Sequence, residues 1–232
     1  MTAVTNGLDA IVRNVERVSA ELVARASQFQ AAILTDVAGR RGTLHGRVKP
    51  MSPHMKVAGP AITVEVRPGD NLAIHAALAI AQRGDVIIVD GKGDLGCALI
   101  GEIMSTQAVA TGVAGFVIDA AVRDSQELAG GSFPIFCAGL NPCGPTKSVA
   151  GRVNQPISIA GASVHAGDLV VGDSDGVVVI PRSDVVHILE LAEHKVAAET
   201  ARIAAIRAGD VRAAWLPDAL RAVGMIGKGE LL

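Results

Sequence analysis

The sequence predicts an α/β fold: a three-layer β/β/α domain with a parallel central sheet, a smaller antiparallel layer, and flanking N- and C-terminal helices. Three observations point there. Short Val/Ile-rich segments at Val57–Val66, Asp85–Asp90, Gly115–Asp119 and Pro134–Cys137 alternate with helix-length stretches, the rhythm of βαβ units. From about residue 147 the rhythm changes to shorter strands separated by Gly167-Asp168, Gly172-Asp173 and Asp175-Gly176, which reads as hairpins. Half of the 232 residues are hydrophobic but only 2% are aromatic, so the core must be Val, Ile, Leu and Ala. A chain of this length buries about 70% of its unfolded surface and needs no disulfide or metal to hold it. It reads as one domain over 1–232, with N-terminal helices in 1–45 and a C-terminal helix and tail in 183–232.

Each element has its own signal. Leu8, Ile11, Val12, Val15, Val18 and Leu22 recur at helical spacing, which predicts an amphipathic helix over 8–25. A second helix is expected over Phe29–Val37, stopped by Gly39, followed by a Pro50–His54 loop. AITVEV within Val57–Val66 alternates as a strand does. Pro68-Gly69-Asp70-Asn71 turns into a helix capped by Asp70 or Asn71 and ending near Gly84. DVIIVD (85–90) and GFVID (115–119) are buried strands, with a Gly91–Gly96 loop and a helix to about Gly112 between them. Arg152–Ile159, Ala162–His165, Leu169–Gly172 and Val177–Ile180 supply the antiparallel layer. Ser183 is the expected N-cap of a helix to about Arg207, and the last 25 residues carry no clear pattern.

Charge and cysteine usage exclude several function classes. The net charge is −2, from 21 basic and 23 acidic residues without a basic block, so neither a nucleic-acid coat nor a polybasic membrane anchor is expected. No 18-residue apolar run exists, and MTAVTNGLDAIVRNVE lacks the apolar centre of a signal peptide. Cys97, Cys137 and Cys143 form no C-x-x-C pair, which argues against a zinc ribbon and fits a reducing compartment. A cytoplasmic protein is expected.

Gly91-Lys92-Gly93-Asp94-Leu95-Gly96 spells G-x-G-x-x-G after a strand, with Asp119 ending the next strand. That is the dinucleotide fingerprint on paper. Asp90, Asp94 and Glu102 crowd it with carboxylates, which disfavours a pyrophosphate. A plain glycine turn, or a loop admitting a small anion to backbone amides, remains open beside it. A second constellation is chemically richer. Arg123-Asp124 follows the GFVID strand, at the carboxyl end of a parallel sheet where ligand crevices form. Glu102 precedes it, with twenty residues between Glu102 and Arg123. The residues alone also admit a simple salt bridge there.

The stretch GDVIIVDGKGDLGCALIGEIMSTQAVATGVAGFVIDAAVRD (84–124) resembles the 4-hydroxy-4-methyl-2-oxoglutarate / 4-carboxy-4-hydroxy-2-oxoadipate aldolases. These are class II pyruvate aldolases within the superfamily of the regulator of ribonuclease activity A. The likeness extends through MSPHMKVAGPAITVEVRPGDNL, FPIFCAGLNPCGPTK and GDLVVGDSDGVVVIPR, and its specific part is the acid-x20-Arg-Asp signature filled by Glu102, Arg123 and Asp124. The resemblance implies that Asp124 binds a divalent ion, Mg²⁺ or Mn²⁺, directly. It implies that Arg123 binds the 2-oxo oxygen of a pyruvyl group. Backbone amides of Gly101, Glu102, Ile103 and Met104 would cradle the pyruvyl carboxylate, which requires the helix to begin near Gly101. Glu102, and Glu199 of a neighbouring subunit, would hold the ion through water, in a homotrimer or homohexamer with sites between subunits. The implied reaction is retro-aldol cleavage of a 4-hydroxy-2-oxo acid late in aromatic-acid (protocatechuate) catabolism, with oxaloacetate decarboxylation as a side activity.

Other residues carry competing readings. Glu199 lies between Lys195 and Arg202, a surface salt-bridge ladder. His75 reads as a core histidine rather than a substrate contact. Lys92 and Asp94 could touch a distal carboxylate or decorate a solvated loop, and Lys147 is placed by family analogy only. Met51, Met55 and Met104 read as packing, and the three cysteines as core. Three alternatives stand beside the aldolase: a non-catalytic ribonuclease-binding regulator of the same superfamily, a dinucleotide oxidoreductase, and a Schiff-base aldolase using Lys92.

Overall fold

A computed structural model describes residues 10–228 and 230. The chain divides into two compact units, 1–192 and 193–232.

The first unit is built on a sheet of order β1-β5-β4-β3-β2-β9-β10, with β6 added beside β2. Its centre is four parallel strands: β2 (Val57–Glu65), β3 (Val86–Ala98), β4 (Gly115–Val122) and β5 (Ile135–Leu140). β1 (Lys49–Pro50) closes one edge antiparallel to β5, in the segment expected to be loop. On the other side β9 (Leu169–Asp173) pairs antiparallel with the start of β2, and β10 (Gly176–Ile180) pairs with β9. β6 (Arg152–Val153) also runs antiparallel to β2, while β7 (Ile157–Ile159) and β8 (Ala162–Val164) make a separate hairpin. The expected strand over 152–159 is therefore two strands. It breaks at Asn154, whose φ of 61° turns the chain out of the extended conformation, and at Pro156, which has no amide to donate.

Three apolar clusters hold the layers together. On one face α3 (Leu72–Ile80) and α4 (Glu102–Thr111) pack Ile74, Leu78, Met104 and Ala108 against Ile62, Ile87, Phe116 and Ile118. The opposite face, Ile88, Val117 and Phe136, is covered by Ile157, Ile159 and Val164 of the β7–β8 hairpin. The small antiparallel layer is thus the β7–β8 hairpin alone. The strands between the Gly-Asp turns, β9 and β10, expected in that layer, instead extend the central sheet because β9 pairs with the start of β2. A third cluster joins β9 and β10 to α1 (Ala20–Ala26), α2 (Ala31–Val37) and the first two turns of α6 (Val185–Arg207). The three-layer α/β reading holds.

Several boundaries differ from expectation. The helix expected over 8–25 exists only as α1, capped by Ser19 accepting from the Leu22 amide; Leu8 lies outside the described residues. Residues 10–18 are extended: the Val12 amide donates to Val153, the Val18 amide to Gly167, and Arg17 grips Asp85 with two bonds of 2.7 and 2.9 Å. Four of the six apolar residues behind the helical pattern are β-branched Val or Ile, and pairing with the sheet outweighed their weak helix preference. The expected Gly91–Gly96 loop is part of β3, which continues with register shifts to Ala98. α4 starts at Glu102, where the resemblance put it. A six-residue helix that no sequence signal announced, α5 (Ser125–Gly130), follows Asp124. Ser183 caps nothing: its hydroxyl bonds Asp184 inside a 3₁₀ turn over Arg182–Asp184, and α6 begins at Val185.

The second unit comprises the rest of α6 and α7 (Leu216–Ala222), with an Arg202–Asp210 ion pair of 3.0 Å. No helix among the described residues is long and apolar enough to cross a membrane.

Candidate active site

The site is made where β3 and β4 end. Past Ala98 the chain runs beside the end of β4: the Leu99 amide donates to Ala121, and the Arg123 amide donates to Ile100 at 3.0 Å. This brings Gly101, the residue before α4, against Arg123 and Asp124. Asp124 holds a left-handed conformation, φ 58° and ψ 46°, which costs a non-glycine residue about 1 kcal/mol or more and turns its carboxylate back toward α4. There its Oδ2 accepts from the Glu102 amide at 2.9 Å. Gly101 is needed for that approach, because a Cβ on it would sit 2.2 Å from Asp124 Oδ2. Asp124, not a local side chain, caps α4.

The first turn of a helix leaves amides without intrahelical partners and favours negative charge. The amides of Glu102, Ile103 and Met104 occupy that turn, and the first intrahelical bond is Ser105 N–H to Gly101 at 3.1 Å. Arg123 Nε lies 3.8 Å from Asp124 Oδ2, and both side chains are about 40% exposed. The Arg123 guanidinium also lies against the 141–147 loop, since a Cβ on Gly144 would meet its Nη1 at 2.8 Å.

Gly101, Ile103, Met104, Arg123 and Asp124 line one cleft of about 140 Å³, together with Asn71, His75 and Lys147. The Glu102 side chain is exposed and turns toward a neighbouring groove shared with Ser105 and Glu127. The loop bearing Lys147 is pinned by Asp70. That buried carboxylate accepts from the amides of Leu72, Ser148 and Val149 and from the Thr146 hydroxyl, at 2.7–3.1 Å. Burial alone would raise its pKa, but the hydrogen bonds outweigh burial and hold it at about 2. So Asp70, expected as a helix cap, also builds the far wall of the cleft.

Other sequence candidates lie elsewhere. Lys92 bonds Asp90 and Glu65; burial would lower its pKa, but those two carboxylates raise it. A lysine held protonated is a poor imine nucleophile, which counts against the Schiff-base reading. Asp94 accepts from the Gly96 amide within β3. Asp119, the acid a dinucleotide ribose would need, is buried and gripped by Arg47 through bonds of 2.7 and 2.8 Å. With the glycine segment built into a strand, the dinucleotide reading falls. Glu199 lies on the part of α6 in the second unit and pairs with Lys195 at 3.2 Å. Of the cysteines only Cys137 is core; burial pushes its thiol up to about 11. Cys97 is half-buried, donating to the Gly144 carbonyl at 3.0 Å, and Cys143 is exposed. Met55 and Met104 are buried as packing.

Two cleft residues stand apart. His75, expected as a satisfied core histidine, has a buried Nε2 with no partner, and its pKa is lowered by burial and by the charge of Lys147. Asn71, read only as a possible cap, is buried with its Oδ1 unpartnered. The signal that could have flagged Asn71 is its place in the Asp70-Asn71 pair opening an otherwise apolar helix.

A family model described as RraA-like, Aldolase/RraA, matches residues 9–179. The chain belongs to the RraA-like family. A Halalkalibacterium halodurans protein, provisionally named a 4-hydroxy-4-methyl-2-oxoglutarate aldolase, is 43% identical over 163 residues, covering 70% of this chain and 78% of the relative. A Burkholderia mallei protein with the same provisional name is 34% identical over 142 residues, 61% of this chain and 86% of the relative. Among solved structures, Streptomyces coelicolor RraAS2, described as an unusual member of the RNase ES inhibitor RraA protein family, matches with a TM-score of 0.72 and 30% identity, covering 82% of this chain and 99% of that one. This RraA-like chain shares the family's fold, and its cleft lies inside the matched span.

The donor set in that cleft suits a hard divalent ion. Asp124 presents an accessible carboxylate to the cleft, and Glu102, at the start of the adjacent helix, faces the groove beside it, while no cluster of three or more His, Cys, Asp or Glu forms among the described residues. One or two carboxylates, with water and substrate oxygens completing the shell, is how Mg²⁺ is commonly held, and Mn²⁺ accepts similar ligands.

Proposed function

We propose that this protein is a divalent-metal-dependent aldolase, a carbon–carbon lyase acting on 4-hydroxy-2-oxo acids. Its substrates are 4-carboxy-4-hydroxy-2-oxoadipate, cleaved to pyruvate and oxaloacetate, and 4-hydroxy-4-methyl-2-oxoglutarate, cleaved to two pyruvates; oxaloacetate decarboxylation is a side activity. The observation that carries the reading is Arg123 beside the left-handed Asp124, seated on the Glu102 amide at the start of α4. The names of the two curated relatives favour the same activity.

The roles follow from charge. Amides of the first turn of α4 receive the pyruvyl carboxylate. Cleavage of the C3–C4 bond sends its electron pair toward the 2-oxo oxygen as the pyruvate enolate forms. The Arg123 guanidinium, lying against the 141–147 loop, binds that oxygen more strongly as it gains charge. Asp124, with Glu102 acting through water, would hold Mg²⁺ or Mn²⁺, which would supply Lewis-acid stabilisation of the charge that builds on the enolate. Glu102 receives the C4-hydroxyl proton through water, and the same proton returns through water to C3 of the enolate, releasing pyruvate. Glu199 is assigned to the site of a neighbouring copy, in a homotrimer or homohexamer.

The second reading, a ribonuclease-binding regulator, is favoured by the description of the Streptomyces relative as belonging to a ribonuclease-inhibitor family. One assay separates the two: pyruvate release from 4-carboxy-4-hydroxy-2-oxoadipate, coupled to lactate dehydrogenase, with EDTA and with added Mg²⁺. Turnover that stops with EDTA and returns with Mg²⁺ supports the aldolase. No turnover by metal-loaded protein overturns it in favour of the regulator.

A further inference from the structure

Buried polar atoms without partners are few in native proteins, and each costs about 1–3 kcal/mol. Among the described residues there are four: Asn71 Oδ1, His75 Nε2, Asn154 Oδ1 and Arg221 Nε. Two of these, Asn71 and His75, line the same cleft as Arg123 and Asp124. They are four residues apart at the start of α3, so their side chains share one face of the helix. The orientation of Asn71 is fixed: its Nδ2 donates to the Leu99 carbonyl at 2.8 Å, and turning the amide over would set oxygen against oxygen. Its Oδ1 is therefore an acceptor that lacks a donor. His75 Nε2 lies near the charge of Lys147, on the loop that Asp70 pins to this helix.

We propose that Asn71 and His75 form the subsite that reads the C4 end of the substrate; this rests on the aldolase reading above. Asn71 Oδ1 accepts from the C4 hydroxyl of the bound substrate, and that hydroxyl turns to the water on Glu102 as the C3–C4 bond breaks. His75 Nε2 donates to the carboxylate on C4, with the Lys147 ammonium balancing its charge. The pyruvyl half is held by Arg123 and the α4 amides, so the two ends of the molecule are recognised by different elements. Oxaloacetate has no C4 hydroxyl and no carboxylate beyond C4, so it makes neither contact.

The test is a pair of kinetic measurements on His75→Leu, reading 4-hydroxy-4-methyl-2-oxoglutarate cleavage and oxaloacetate decarboxylation with Mg²⁺. Loss of one such hydrogen bond corresponds to a fall of about 10- to 100-fold in kcat/KM for the hydroxy acid, expressed mainly in KM. Oxaloacetate decarboxylation stays within about twofold of wild type, and Tm does not fall, because an apolar group replaces an unpartnered polar one. His75→Gln, which keeps a donor, recovers part of the loss. Asn71→Ala shows the same selective loss, measured well below its lowered Tm. Equal loss on both substrates, or no loss on either, overturns the subsite while the wild-type activity leaves the aldolase reading standing. A wild-type protein that turns over neither substrate overturns both.

Discussion

Gly101→Ala tests the construction of the site with one methyl group. Gly101 has φ −156° and ψ −159°, an extended conformation that alanine adopts freely, so the backbone gives no reason for a defect. The space does. The new Cβ would lie 2.2 Å from Asp124 Oδ2, 3.1 Å from Asp124 Cγ and 2.9 Å from Arg123 Cγ. Comfortable separations are about 3.3 Å or more, so the carboxylate must retreat by about 1 Å. A retreat of that size breaks the 2.9 Å bond from the Glu102 amide and uncaps α4. Losing a cap of this kind costs about 1–2 kcal/mol, a fall of about 2–8 °C in Tm for a chain of this size. A 1 Å misplacement at a reacting centre costs about 100-fold in rate. The assays are lactate-dehydrogenase-coupled pyruvate release at saturating Mg²⁺ and thermal unfolding followed by circular dichroism. Activity within threefold of wild type would refute the claim that Asp124 must sit on the Glu102 amide.

Three further predictions concern the same elements. Asp124→Asn keeps an acceptor for the Glu102 amide and a residue tolerant of left-handed backbone, so Tm should change by less than about 3 °C while Mg²⁺ binding, read by calorimetry, is lost; undiminished affinity would remove Asp124 as a ligand. Arg123→Lys keeps the charge but not the planar fork and should lower kcat by about 100-fold or more with little change in Tm; near-normal kcat would reassign the 2-oxo oxygen to another group. Asp70 has a folded pKa of about 2, below its unfolded value of about 3.9. The unfolded chain therefore binds the proton first, so this stabilisation is complete above about pH 4 and is lost as the pH falls through about 2. Urea unfolding across that range should show Asp70→Asn less stable than wild type at neutral pH and with a shallower acid decline; parallel curves would show that Asp70 contributes nothing through its charge.

The central strands were legible because their composition is their environment. VIIV and FVI are continuous apolar runs and sit in a sheet covered on both faces by other layers. The extension of β3 was hidden for the opposite reason. Lys92–Gly96 has no alternation, takes left-handed turns at Lys92 and Gly93, and joins β4 through shifted register, so no local pattern announces it. Residues 10–18 misled because Val and Ile spaced three and four apart fit a helix, while the partners that hold them extended, Val153 and Gly167, lie far along the chain.

The site divides along the same line. Glu102, Arg123 and Asp124 could be named from a spacing, but that spacing has a physical content only the fold reveals. A helix start is read from its own N-cap residue, and Gly101 has no side chain to cap with. Periodicity alone would therefore start the helix at about Leu95–Ala98. The capping carboxylate arrives instead from Asp124, twenty-two residues after Glu102, once β4 has brought it alongside. The group that fixes where α4 begins is thus the group proposed to hold the metal, and the amides it leaves over in the first turn are those proposed for the substrate carboxylate. Asn71, His75 and Asp70 have no comparable spacing, because they come from the β2–α3 connection and the first turn of α3 and meet the site through distant partners, Asn71 through Leu99 and Asp70 through Thr146–Val149. A change at Asp70 should accordingly reach the cleft through the position of Lys147 before it reaches Arg123, raising KM for the hydroxy acid more than for oxaloacetate.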